Sequence, residues 1–103
     1  MIFLLTSKQR AELRSMGNSL EAIVQIGKGG INENLIQQAN DALTARELVK
    51  MHVLETAPDF ARETAQQLAE ATHSEVVQVI GTKFILYRRN EKNPKIQLKK
   101  PKK

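Results

Sequence analysis

The sequence predicts an α/β domain, and three observations carry that prediction. Apolar residues recur at three- and four-residue spacing in three segments, and β-branched runs of strand length lie between and after them. A glycine-led two-residue turn, Gly81-Thr82, separates the last two runs. Strand–helix–strand crossovers return the chain in parallel and a hairpin is antiparallel, so the order helix, strand, helix, strand, helix, strand, strand implies a mixed sheet with helices packed on it. A chain of 103 residues falls in the range of one domain. At that size about two-thirds of the unfolded surface can be buried in one core.

Each element has its own local signal. Thr6 stands three residues before Gln9, the spacing of a capping box, and Gly17 sits where a left-handed helix stop is expected, so a first helix is predicted from Ser7 to Met16. Leu13 and Met16 fall on one side of it with Leu4 or Leu5 from the preceding segment, and Lys8, Arg10 and Arg14 fall elsewhere. "EAIVQIG" is too short for a helix and rich in β-branched residues, and predicts a strand ending at Gly27. Asn32 can cap a second helix whose apolar positions are Leu35, Ile36, Ala39, Ala42 and Leu43, with Ile31 and Ile36 as a hydrophobic staple. "ELVKMHVLE" alternates Leu48, Lys50, His52 and Leu54 with Val49, Met51 and Val53, a second strand. "TAPDFARETAQQLAEAT" places Pro58 and Asp59 in the first turn of a third helix with Ala61, Ala65, Leu68 and Thr72 along one face. "VVQVIGTKFILYRR" closes the domain as a type II′ hairpin.

Composition narrows the chemistry. Apolar residues make up 41% and charged residues 26%, ordinary values for a globular protein. The absence of cysteine removes disulfides, thiolate metal sites and cysteine nucleophiles, and fits a reducing compartment. "MIFLLT" has no basic stretch before it and no small-residue cleavage site after it, so no secretory signal is expected, and no apolar run is long enough to span a bilayer. The expected location is the cytoplasm. The net charge of +5 is unevenly distributed: residues 1–87 carry eight Lys and Arg against ten Asp and Glu, a net of −2, whereas residues 88–103 carry eight against one, a net of +7. Residues 91–103 therefore read as a basic flexible tail on a domain of residues 1–90, with the alternation of Ile96 and Leu98 leaving open a short edge strand. Cationic tails of this kind are usually contacts for polyanions, the alternative being a tag that only aids solubility.

The stretch Gly27-Lys28-Gly29-Gly30, between a strand and a helix, is the motif with chemical content. A P-loop is excluded, because no glycine precedes Gly27-Lys28 at the required distance and Gly29 replaces the Ser or Thr. The dinucleotide pattern fails as well, because its third glycine would fall on Asn32. What remains is G-x-x-G at a strand end before a helix N-terminus. Backbone N–H groups and the helix dipole attract an anion there, Lys28 adds a charge, and nucleic-acid modules use such a turn to clamp the sugar-phosphate chain. A purely conformational role for the glycines is the competing reading.

Four segments taken together, "LTSKQRAELRSM", "VQIGKGGI", "ARELVKMHVL" and "VQVIGTKFILYRR", resemble the bacterial stand-alone CRM-domain proteins of the YhbY family over about residues 5–90. The resemblance implies a two-layer α-β-α-β-α-β-β domain with a four-stranded mixed sheet, similar to the C-terminal domain of bacterial translation initiation factor three. It also implies RNA binding, in association with precursors of the large ribosomal subunit. The family's loop corresponds to Gly27, Lys28, Gly29 and Gly30, and its basic surface to Lys8, Arg10, Arg14, Lys50, Arg88 and Arg89. "SMGNSL" lacks the Ala-His often found in relatives, so any role of that histidine is missing here.

The remaining residues weigh against catalysis. His52 and His73 are far apart in sequence, without a carboxylate constellation around either, and are assigned structural or surface roles. No nucleophile–base pair or metal cluster stands at informative spacing, so neither cofactor nor enzymatic activity is expected. Phe84 and Tyr87, at odd spacing in the last strand, face opposite sides of the sheet. Phe84 is assigned to the core, leaving Tyr87 as the ring that could meet a base. With four aromatics in all, backbone and shape recognition is expected over a broad stacking platform. The expected molecule is a monomeric, non-catalytic RNA binder. The alternatives are a ribosome-associated protein–protein adaptor and a small RNA-processing enzyme.

Overall fold

The computed structural model describes residues 6–89. The element order is α1 (Ser7–Asn18), β1 (Ala22–Ile26), α2 (Glu33–Arg46), β2 (Leu48–Val53), α3 (Ala61–Thr72), β3 (Glu75–Ile80) and β4 (Lys83–Tyr87). The four strands form one mixed sheet in the order β1-β2-β4-β3, with β1 parallel to β2 and β4 antiparallel to both neighbours. The α/β class and the mixed sheet are those the periodicity predicts. The basic tail 91–103, with Ile96 and Leu98, and the apolar Leu4 and Leu5 lie outside the described residues.

The helices do not share one layer, which revises the two-layer expectation. Two crossovers, β1-α2-β2 and β2-α3-β3, step across the sheet in the same direction, and right-handed connection places both helices on the same face. That face buries Val24, Ile26, Val49, Met51, Val53, Phe84 and Leu86 against Leu35, Ala39, Leu43, Ala61, Ala65 and Leu68. α1 precedes the first strand and belongs to no crossover. It takes the opposite face, where Leu13 and Met16 pack with Leu48, Val77, Ile85 and Tyr87.

Caps and turns show which local signals held. Thr6 and Gln9 form the capping box: the Gln9 N–H donates to Thr6 Oγ1 at 3.1 Å and the Thr6 N–H donates to Gln9 Oε1 at 3.0 Å. Asn32 Oδ1 accepts from the Leu35 N–H at 2.9 Å, and Ile31 and Ile36 both pack on the core. At the hairpin, Ile80 pairs with Lys83 and Gly81 has φ +58°, while Thr82 keeps a negative φ, as a type II′ turn requires.

Two predicted helix boundaries, one stop and one start, are corrected. Gly17 does not end α1; it lies buried within the helix, where a Cβ would collide with Ile85 Cδ1 and come within 3.2 Å of Ile85 Cγ2. Glycine is present there to let the helix approach the sheet. Pro58 and Asp59 precede α3 rather than forming its first turn, and the N-cap is Phe60, which makes no side-chain cap bond. α3 ends in a Schellman pairing, with the Ser74 N–H donating to the Ala69 carbonyl at 2.9 Å and His73 in the left-handed region at φ 55°.

Candidate RNA interface at the glycine turn

The C-terminal ends of β1 and β2, being parallel, emerge at the same edge of the sheet. The Leu54 N–H donates to the Ile26 carbonyl at 2.8 Å, and the Val53 N–H donates to the Thr82 carbonyl at 2.7 Å. These bonds bring three turns together: Gly27–Gly30, the segment 54–60, and the hairpin tip Gly81-Thr82. The Gly30 N–H donates to the Gly27 carbonyl at 2.9 Å and closes the glycine turn.

The glycines of this turn do different things. Gly30 has φ +62°, and a Cβ on it would lie 2.9 Å from Pro58 Cγ, so both its own backbone and the neighbouring segment demand glycine. Gly29 has no positive φ, and a Cβ on it would meet only Asn32 Nδ2, at 3.1 Å. Gly27 would make ordinary contact with Leu54 Cδ1 at 3.6 Å. The competing conformational reading therefore accounts fully for Gly30, reaches Gly29 only through the end of the Asn32 side chain, and does not reach the exposed Lys28.

Strand register defines the surface beside the turn. On the face that carries α1, one row across the sheet reads Gln25, His52, Lys83, Ile80, and the next reads Ala22, Lys50, Ile85, Gln78. α1 packs toward the end holding Leu48 and Tyr87, which leaves the row nearest the glycine turn open. Ile80 is 55% exposed there, and Ile23 is 46% exposed on β1. Lys50 and His52 are half-buried and Lys83 is exposed. Cations and apolar groups are thus interleaved next to Lys28, although Glu33, Glu55 and Asp59 are exposed on the adjoining α2 and 54–60 segments.

The basic residues expected to line one surface are dispersed. Lys8 is exposed and Arg14 half-buried on α1. Arg10 ties α1 to β3: Nη2 donates to Glu75 Oε2 at 3.0 Å and Nη1 to the Val76 carbonyl at 3.0 Å. Arg88 lies at the end of the sheet away from the glycine turn. Its Nη1 donates to Asn40 Oδ1 at 2.7 Å and the Thr72 carbonyl at 2.8 Å, and its Nη2 to the Asn40 carbonyl at 3.0 Å and Thr44 Oγ1 at 2.8 Å. The hydrogens of both terminal nitrogens are committed to joining α2, α3 and β4. Partial burial pulls the Arg88 guanidinium below its ordinary pKa. Arg89 follows it and is exposed.

Tyr87 is 2% exposed and belongs to the core beside α1, so it offers no ring to a base, and Phe84 fills the opposite core as expected. Burial, followed by the charge of Glu47, raises the Tyr87 phenol pKa above 10, against a smaller opposing effect of Arg89. Two residues near the turn escape sequence reasoning. Lys83 is legible only through the β2–β4 register, which sets it beside His52. Phe60 is 84% exposed. Its one sequence-level signal is a non-capping aromatic where a helix start calls for a polar cap.

A four-stranded mixed sheet with a glycine turn between a parallel strand and a capped helix defines a class of small α/β domain. The chain belongs to the CRS1 / YhbY (CRM) domain family, whose model matches residues 5–88. It is 41% identical over 95 residues to a Bacillus subtilis (strain 168) protein named "Probable RNA-binding protein YqeI", covering 92% of this chain and 99% of that one. It is 30% identical over 94 residues to a protein of Haemophilus influenzae named "RNA-binding protein", covering 91% and 94% of the two chains. The solution structure of a hypothetical protein from Staphylococcus aureus superposes with a TM-score of 0.78 at 50% identity, over 93% of this chain and all of that one. Among the described residues, no helix is long and apolar enough to cross a membrane.

Proposed function

We propose that the protein is a non-catalytic, cytoplasmic RNA-binding protein that associates with ribosomal RNA or with precursors of the large ribosomal subunit during ribosome assembly. The observation that carries the reading is the glycine turn: an exposed Lys28 and a Gly29 whose added Cβ would meet only the end of the Asn32 side chain, held in place by a Gly30 at a position strained for any other residue. Peptide N–H groups without side chains around them can approach a sugar-phosphate backbone closely, and the N-terminal end of α2 adds a favourable dipole. Relatives named RNA-binding proteins, at up to near full-length coverage, support the RNA-binding part of this reading. Lys50, Lys83, Lys8 and Arg14 extend the contact over the α1-bearing face. Arg10 and Arg88 serve chiefly to hold the fold together, and residues 91–103 add affinity without selectivity. The protein acts as a monomer.

Salt titration of binding to ribosomal RNA tests this. Log affinity falls steeply with log salt, and Lys28→Ala lowers the slope by about 0.7 to 0.9, one phosphate contact. A salt-insensitive complex, or an unchanged slope in Lys28→Ala, contradicts the reading. In that case a protein–protein adaptor role takes its place.

A further inference from the structure

We propose that Phe60 is a stacking platform for an unpaired RNA base at the rim of the glycine turn, so that the site takes single-stranded or bulged RNA in preference to continuous duplex. This rests on the RNA-binding reading of Gly27–Gly30 and specifies the substrate of that same site.

Phe60 is 84% exposed, well above every other exposed large apolar residue of the described chain: Ile80 at 55% comes next. It also occupies a position where folding favours a different residue. α1 and α2 are capped by the side chains of Thr6 and Asn32, whereas Phe60 caps α3 without a side-chain hydrogen bond. The ring thus contributes neither to a core nor to a helix end. Its backbone is nonetheless fixed, because its carbonyl accepts the Thr64 N–H at 3.0 Å as α3 begins.

Its position relates it to the turn. Pro58 Cγ lies 2.9 Å from where a Cβ of Gly30 would stand, and two peptide steps carry the chain at most about 7 Å from Pro58 to Phe60. A strand whose phosphates occupy the glycine turn can therefore lay a base on this ring. The charges around it are mixed, with Glu55, Asp59 and Glu63 exposed alongside Lys28 and Arg62. Attraction at Phe60 is accordingly a matter of the neutral π-face, which suits any base and is insensitive to salt. A base within a continuous duplex has no face to offer.

The test uses the full chain, a short unstructured RNA strand and the duplex of the same sequence, each titrated at several salt concentrations. Phe60→Leu keeps an apolar side chain and removes the π-face. It is expected to weaken single-strand binding by roughly 5- to 150-fold, with the salt slope and duplex affinity unchanged. The chain has no tryptophan, so Phe60→Trp supplies a lone reporter whose emission is quenched by the single strand and not by the duplex. The exposed position keeps both variants folded, which thermal unfolding verifies. Wild-type affinity in Phe60→Leu, an equal loss on both RNAs, or an unquenched Phe60→Trp overturns the proposal. If Lys28→Ala lowers the salt slope while Phe60→Leu is silent, the stack alone falls. If the wild-type chain binds neither RNA, the reading of the turn falls with it. Loss of association with ribosomal particles at unchanged RNA affinity assigns the ring to a protein contact and also overturns the stack.

Discussion

Replacing Gly29 and Gly30 separately by alanine separates backbone necessity from function. At Gly30, φ +62° is a left-handed conformation that costs an L-residue about 1–2 kcal/mol. The added Cβ also has to displace Pro58 Cγ from 2.9 Å, while alanine recovers part of the loss by restricting the unfolded chain, about 0.4–1 kcal/mol. The net expectation is a destabilisation of about 2 kcal/mol, a fall in Tm of about 8–16 °C for a domain of this size. At Gly29 the backbone is unstrained, and the one close atom is the Asn32 amide nitrogen at 3.1 Å. A small shift of that cap costs below about 1 kcal/mol. Gly29→Ala, and more so Gly29→Val, should remain folded and lose RNA affinity. Thermal unfolding followed by circular dichroism, with RNA binding measured on the same preparations, decides the matter. A neutral Gly30→Ala, or a Gly29→Ala as destabilising as Gly30→Ala, would refute the division of labour.

Arg88→Ala removes a guanidinium bonded to Asn40, Thr44 and Thr72, and is expected to lower stability by about 2–3 kcal/mol in urea unfolding; Arg88→Lys restores little, since an ammonium lacks the planar fork. Gly17→Ala would stabilise an ordinary helix, but here it overpacks against Ile85 and should cost about 1 kcal/mol, with Ile85→Val in the same chain recovering most of the difference in a double-mutant cycle. His73→Gly relieves φ 55° at the end of α3 and should raise stability by about 0.5–1 kcal/mol in the same urea assay. The Tyr87 phenol has a folded pKa above its unfolded value of 10.0, so the stability it contributes is complete below pH 10 and is lost as pH rises through the folded pKa. Unfolding measured between pH 9 and 11 should therefore show a smaller decline in Tyr87→Phe than in the wild-type chain.

The parts of the molecule legible in the sequence are those decided within a few residues. The Thr6–Gln9 box, the Asn32 cap, the Gly81-Thr82 turn and the buried face of α3 are local bonds or periodicities, and each stands where the sequence placed it. Gly17 deceived because its reason is Ile85, a strand residue far along the chain that no helix signal reports. The layering deceived for a similar cause: crossover handedness dictates the side taken by α2 and α3, whereas α1 goes to whichever face is left uncovered. For the candidate site, the Gly27–Gly30 segment was readable as a turn between a strand and a helix, and that is where it stands. The partners of the basic side chains were not, because a sequence counts arginines without saying which are claimed by Glu75 or Asn40. Phe60 and Lys83 join the candidate surface through tertiary neighbours alone.

Under the proposed function, RNA lies on the peptide amides of one turn. A backbone amide titration by nuclear magnetic resonance, with the full chain and a fragment of large-subunit ribosomal RNA at low salt, tests it most directly. The largest shifts should fall on Gly27, Lys28, Gly29 and Gly30, with smaller ones along His52 and Lys83. Shifts confined to other surfaces while those four amides stay unmoved, or no shifts at all, would contradict it.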